Sequence, residues 1–141
     1  MRSKYNVSSN KEKRTYDNIT FDSEMEMKYY RDVVLPAYNK GIIKHFELQK
    51  SFELQPKFKR NGKTILSIKY VADFYIEYSD NKVQVIDIKG MADSVALLKR
   101  KQMWYKYPKL DYIWITYVKK FGGWIEYDEC QRLRREAKKQ S

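Results

Sequence analysis

Residues 64–90 read TILSIKYVADFYIEYSDNKVQVIDIKG, and the way this stretch folds decides the architecture of the chain. β-Branched and aromatic residues dominate 64–78, as a long strand requires; Ser79, Asp80 and Asn81 supply a turn; KVQVIDIKG resumes as a second strand. Side chains alternate across a strand, so Val71, Asp73, Tyr75 and Glu77 share one face, and Val83, Val85, Asp87 and Lys89 share a face of the partner. A three-residue loop pairs Tyr78 with Lys82 and sets Asp73 opposite Asp87, with Lys89 one step along. A two- or four-residue loop separates the acids unless a bulge intervenes.

Outward from this hairpin, Asn61-Gly62 supplies an earlier turn, and IIKHFELQKSFELQP holds two FELQ tetrads too closely spaced for a structural repeat, so it reads as strand or extended edge. At Phe21-Asp22-Ser23-Glu24-Met25-Glu26, Ser23 can cap the Glu26 amide while Glu26 reaches back, a capping box. Met25, Tyr29 and Val33 then recur at helical spacing, which predicts a helix over about 23–35, with Pro36 opposing its continuation toward 40. On the other side, Val95, Leu98, Gln102 and Tyr105 predict a second helix from Ser94, with Lys99, Arg100 and Lys101 on its opposite side and Pro108 as its stop. DYIWITYV is a further strand, FGGWIEY a turn and short strand, and DECQRLRREAKKQ a basic terminal helix. This order implies an α/β fold in which a central mixed sheet is flanked by helices. Residues 1–18, polar and basic, read as a flexible arm, and 19–141 as one domain.

The 29 Lys and Arg against 18 Asp and Glu give a net charge of +11, so the partner is a polyanion. Nucleic acid leads; ribosomal and anionic membrane surfaces share the same attraction. The single cysteine, Cys130, makes no intrachain disulfide, and no Cys/His cluster suggests zinc, which fits a reducing cytoplasm. No apolar run approaches the ~18 residues of a membrane span, and MRSKYNVSSNKEKR lacks an apolar signal core.

Two carboxylates face to face at strand centres repel each other, and a cation between them removes the conflict. Mg²⁺ suits the pair, because it takes hard oxygen ligands, uses one or two carboxylates, and leaves the remaining positions to water and phosphate. Asp73 and Asp87 are the candidate ligands, with the Ile88 carbonyl as a third. Lys89 is placed to stabilise charge or orient a water; a general-base role remains open.

This ordered set resembles the PD-(D/E)XK nuclease superfamily, whose signature places an acid on one strand and an acid, any residue and lysine on the next, here YVADF and VIDIKG. It is closest in pattern to small phage-encoded endonucleases, Holliday-junction-resolvase-like, that open with a segment similar to ITFDSEMEMKYY; the likeness spans roughly residues 15 to 120. Ala72 stands where the superfamily label has Pro, and Asp87 where Glu is often found. The resemblance implies a restriction-endonuclease-like core and Mg²⁺-dependent cleavage of DNA, with Mn²⁺ able to substitute. It also implies that Glu26 completes the metal site, that Gln102 stands near it, and that the cytoplasm is that of a bacterial host.

Each residue also has a plainer reading. Glu26 is explained by its capping box, Gln102 by a local hydrogen bond, and His45 as a surface or structural histidine. Beside a phosphate site, however, Lys99, Arg100, Lys101, Gln102 and Lys106 are expected to hold the DNA backbone. With no base-reading module in the sequence, recognition leans on DNA charge and shape, which suits branched DNA, and two symmetric cuts imply a homodimer. The rival readings are a nicking, restriction-like or transposon-end nuclease of the same fold, and an inactive DNA-binding protein.

Overall fold

The computed structural model describes residues 10–140. Its centre is a five-stranded sheet in the order β3-β6-β7-β8-β9, formed by Ile43–Gln55, Ile68–Tyr78, Val83–Ile88, Asp111–Val118 and Gly123–Glu126. All neighbours are antiparallel except β7 and β8, which run parallel and are joined through the helix α3, Ser94–Lys106. The fold is therefore α/β with a mixed central sheet and flanking helices, as a restriction-endonuclease-like core has. Among the described residues no helix is long and apolar enough to cross a membrane.

Helical layers cover both faces of the sheet. On one side lie α1 (Glu24–Tyr29), a π-helical turn (Tyr30–Val34) and α2 (Leu35–Asn39), which run on as one stretch past Pro36. The prolyl nitrogen cannot donate, and the wider π turn lets the helix continue where the sequence had suggested a stop. Met27, Tyr29, Tyr30 and Val34 pack there against Phe74, Ile76, Ile86 and Ile88. On the opposite side Met103 of α3 joins Tyr70, Ala72, Val85, Tyr112 and Trp114, with Tyr127 at the start of α4 (Tyr127–Gln140) packed against them.

The expected face of α3 is reversed. Val95, Leu98 and Tyr105, read as the packed stripe, are exposed, Tyr105 at 90%, while Ala96 and Met103 meet the core and Arg100 turns inward with them. The arm read over 1–18 lies partly outside the described residues. Within them, Lys11–Arg14 form a 3-10 turn, and β1 (Thr15–Tyr16) pairs with β2 (Ile19–Thr20). Thr64 and Ile65, read as the start of the long strand, belong instead to a separate ribbon of β4 (Phe58–Arg60) and β5 (Lys63–Ile65), closed by the expected Asn61-Gly62 turn.

Both long strands change face at one level. In β3, Phe46 and Leu48 pack on the α1 side but Phe52 and Leu54 on the α3 side; in β6, Phe74 and Ile76 face α1 while Tyr70 and Ala72 face α3. Strict alternation would keep each even-numbered set together. The switch falls at Gln49, a non-glycine residue with φ of +56°, on the β3–β6 register opposite Asp73.

Candidate active site

Asp73 and Asp87 meet where the β6–β7 ladder opens. Its pairs run from Glu77↔Val83 to Phe74↔Ile86, and one further step sets Asp73 against Asp87. Tyr78 N donates to the Lys82 carbonyl at 2.8 Å, so the intervening loop has three residues, Ser79 to Asn81. At the acid pair the carboxylates replace the ladder. Asp73 Oδ2 accepts the Ile88 amide at 2.8 Å, and Asp87 Oδ1 accepts the Asp73 amide at 3.1 Å. The two bonds fix both carboxyl groups relative to both strands.

Glu26 reaches the same place from α1. The Ser23 hydroxyl caps the Glu26 amide at 3.0 Å, as the sequence suggests, and the Glu26 side chain is buried against the sheet. Gln49 Nε2 donates to Glu26 Oε1 at 2.8 Å and to Asp73 Oδ1 at 3.3 Å, bridging two acids from the third element. Glu26, Asp73 and Asp87 are 2%, 4% and 2% exposed, an unusual concentration of buried carboxyl groups. Burial first, then the neighbouring Asp87 and Glu26, hold the Asp73 carboxyl well above its ordinary range.

Lys89 is the cation of the cluster. Its Nζ lies 3.1 Å from Asp87 Oδ2 and 5.2 Å from the centre of the Trp114 ring, with its side chain one quarter exposed. Tyr70 donates its hydroxyl to the same Asp87 oxygen. Burial raises the Tyr70 phenol far above its ordinary range, chiefly by desolvation and then by Asp87, so it remains a donor. Trp114 Nε1 in turn donates to the hydroxyls of Tyr112, at 2.6 Å, and of Tyr70, at 3.2 Å. The arrangement is a carboxylate held on one side by an aromatic hydrogen-bond chain and on the other by an ammonium group.

Among the described residues no set of three His, Cys, Asp or Glu side chains stands as a ready-made ion cage. The carboxylate oxygens face Gln49, Tyr70, Lys89 and two amides. An ionised carboxylate offers about four lone-pair positions to donors or a cation.

The cations expected on α3 divide by role. Arg100 packs its guanidinium 4.2 Å from the Trp114 ring centre and 4.5 Å from that of Trp104, and pairs with Asp128 at 3.1 Å. Arg100 thus ties α3 to α4 and does not present its charge outward. Lys99 donates to the Lys69 carbonyl at 3.0 Å, Lys106 lies 3.8 Å from Glu53, Gln102 is half-buried, and Lys101 is exposed. His45, 3.6 Å from Glu47, is a surface residue of the edge strand β3.

The basic terminal helix expected from the sequence forms a second cationic surface together with Lys120. Lys120, Arg134, Arg135 and Lys138 line an open groove of about 580 Å³ together with Gln131 and Ala137. Because β7 and β8 are parallel, Lys120, just beyond β8, lies toward the same end of the sheet as Lys89. Spacing along α4 carries this groove, but without the fold nothing connects it to the acids.

Tyr70 and Gln49 also escaped the sequence reading. Tyr70 is three residues before Asp73, which strict alternation assigns to the opposite face; the face switch brings both to one cluster. Gln49 is the last residue of an FELQ tetrad and carries no spacing signal toward Glu26.

The family model described as Protein of unknown function (DUF1064) matches residues 2–123, and the chain belongs to that family. The matched span contains Glu26, Gln49, Tyr70, Asp73, Asp87 and Lys89 and stops short of α4. No curated protein matches the chain.

Proposed function

We propose that this DUF1064 protein is a Mg²⁺-dependent endodeoxyribonuclease of the PD-(D/E)XK type that hydrolyses DNA phosphodiester bonds. The observation that carries the reading is the buried Asp73–Asp87 pair across the hairpin, with Lys89 Nζ 3.1 Å from Asp87. Three carboxyl groups crowded away from water are costly without a cation or proton, and their hard oxygen donors suit Mg²⁺. Asp73, Asp87 and the Ile88 carbonyl would hold the ion, with Glu26 completing the site; Mn²⁺ would take the same donors. When bound, the ion supplies Lewis-acid polarisation of a phosphoryl oxygen.

The remaining groups have roles that follow from their contacts. Tyr70 and the Asp73 amide fix the Asp87 carboxylate, and Gln49 holds Glu26 and Asp73 in register. Lys89 offers donors only, so its ammonium group orients a water through the water's oxygen and balances charge developing on the phosphate.

The net charge of +11 and the cationic groove beside α4 support a DNA backbone as the ligand. We assign branched DNA as the preferred form, because backbone charge and shape are the features such a surface reads, and a homodimer as the unit that makes two symmetric cuts. Incubation of fixed junctions and linear duplex with Mg²⁺ or EDTA, followed by sequencing of the cut ends, tests this. Cuts at one sequence in linear duplex would favour a nicking, restriction-like or transposon-end nuclease, and tight binding without cuts an inactive DNA-binding protein.

A further inference from the structure

Beyond the Gln55↔Ile68 pair, β3 and β6 part, and residues 56–67 leave the main sheet as an arm. Its β4–β5 ribbon has its own short ladder, Phe58↔Ile65, Lys59↔Thr64 and Arg60↔Lys63. Asn61 and Gly62, both at positive φ, close it in the two-residue turn whose twist matches that of a ribbon. Every residue from Pro56 to Leu66 is exposed.

The charge of the arm has one sign. No acid occurs between Glu53 and Asp73, whereas Lys57, Lys59, Arg60, Lys63 and Lys69 do. Arg60 stands directly opposite Lys63, and like charges facing each other destabilise a ribbon that is marginal at this length. Lysines on an edge also deter edge-to-edge pairing, but that device does not require a cross-strand cation pair. An anion lying across the ribbon does account for it.

The arm is also in the right place. β6 runs antiparallel to β7, so the start of β6, from which the arm springs, lies at the same end of the sheet as Lys89. At ~3.3 Å per residue, Ile68 is about 17 Å from Asp73, and the chain from Ile68 to the turn spans at most about 20 Å. The major groove of B-DNA, about 12 Å wide, admits a two-stranded ribbon.

We propose that residues 56–67 form a DNA-groove probe, whose ribbon enters the major groove of duplex flanking the cleavage site and meets it through Lys57, Lys59, Arg60 and Lys63. The proposal rests on the nuclease reading above. It names the contact that holds the duplex while the acids act.

The test uses the full chain and a variant carrying Lys57→Ser, Lys59→Ser, Arg60→Ser and Lys63→Ser, checked for folding by near-UV circular dichroism. Binding to a labelled four-way junction is measured against salt, and dimethyl sulfate protection of guanine N7 reports major-groove occupancy. The expected result is that the slope of log affinity against log salt falls by about 3 to 4, near 0.9 per lost phosphate contact, and that wild-type N7 protection disappears. An unchanged slope overturns the proposal, as does a reduced slope without any N7 protection by wild type. If the variant instead loses self-association in sedimentation and keeps its DNA affinity, the arm serves a second copy of the chain. Wild type that cuts DNA while either contrary result holds leaves the nuclease standing and removes only the probe; wild type that neither binds nor cuts DNA overturns both.

Discussion

Replacing Tyr70 by Phe removes one hydroxyl from behind Asp87 and leaves the ring in the core it shares with Val85, Met103 and Tyr112. The hydroxyl donates to a carboxylate that is 2% exposed, so water cannot readily take its place. A hydrogen bond to a charged group contributes about 1.5–3 kcal/mol, and its loss would fall on the orientation of Asp87. At about 1.4 kcal/mol per factor of ten, the expected loss is about 10- to 100-fold in Mg²⁺ affinity or cleavage rate, the range seen when partners of metal ligands are removed. Magnesium titrations of cleavage, with Mn²⁺ binding followed by calorimetry as a readout independent of turnover, measure it. Tyr112→Phe is the comparison, since the Tyr112 hydroxyl belongs to the same chain and bonds Tyr70 and Trp114, whereas the Tyr70 hydroxyl itself donates to Asp87. If Tyr70→Phe lowers the melting temperature yet keeps metal affinity and rate within two-fold of wild type, as an order-of-magnitude threshold, the positioning argument is wrong.

Lys89→Ala is expected to abolish cleavage while junction affinity stays within a few fold; a matching collapse of affinity would show that Lys89 binds DNA instead of assisting the reaction. At alkaline pH, where Asp73 ionises despite its raised pKa, Asp73→Asn removes one charge from the crowded acids while leaving a side-chain oxygen to accept the Ile88 amide, so the metal-free protein should melt higher and lose the stabilisation that Mg²⁺ gives wild type. Calorimetry with EDTA and with Mg²⁺ checks this, and a lower melting point in EDTA contradicts the repulsion argument. Arg100→Ala should cost about 2 kcal/mol in urea unfolding, mostly from lost packing over Trp114 and Trp104, because Asp128 is largely exposed and its ion pair is screened. Lys101→Ala should lie within about 0.5 kcal/mol of wild type, as surface changes usually do.

The hairpin was legible because its turn residues and β-branched runs are local signals, and the loop length that sets Asp73 against Asp87 follows from three residues, Ser79 to Asn81. Helix α1 was legible from Ser23 and Glu26, and the mixed α/β sheet from the order of elements. What escaped depends on a tertiary feature. The left-handed Gln49 and the face switch beside it break the two-residue period, and so conceal both Gln49 and Tyr70 from any count along the chain. Helix α3 was misread for a related reason: Met103 and the stem of Arg100 fill the space over the sheet, and a guanidinium stacked on tryptophan replaces the aliphatic stripe that spacing selects. The arm at 56–67 was seen as a turn, but its separation from the main sheet depends on where β3 and β6 stop pairing, which local sequence does not encode.

Cleavage of labelled four-way junction, linear duplex and single-stranded DNA, each with Mg²⁺ or EDTA and beside an Asp87→Ala control, tests the central claim most directly. The account predicts Mg²⁺-dependent symmetric cuts in the junction by wild type and none by Asp87→Ala. Wild type that cuts no substrate in Mg²⁺, or cuts that persist unchanged in EDTA or in Asp87→Ala, would contradict it.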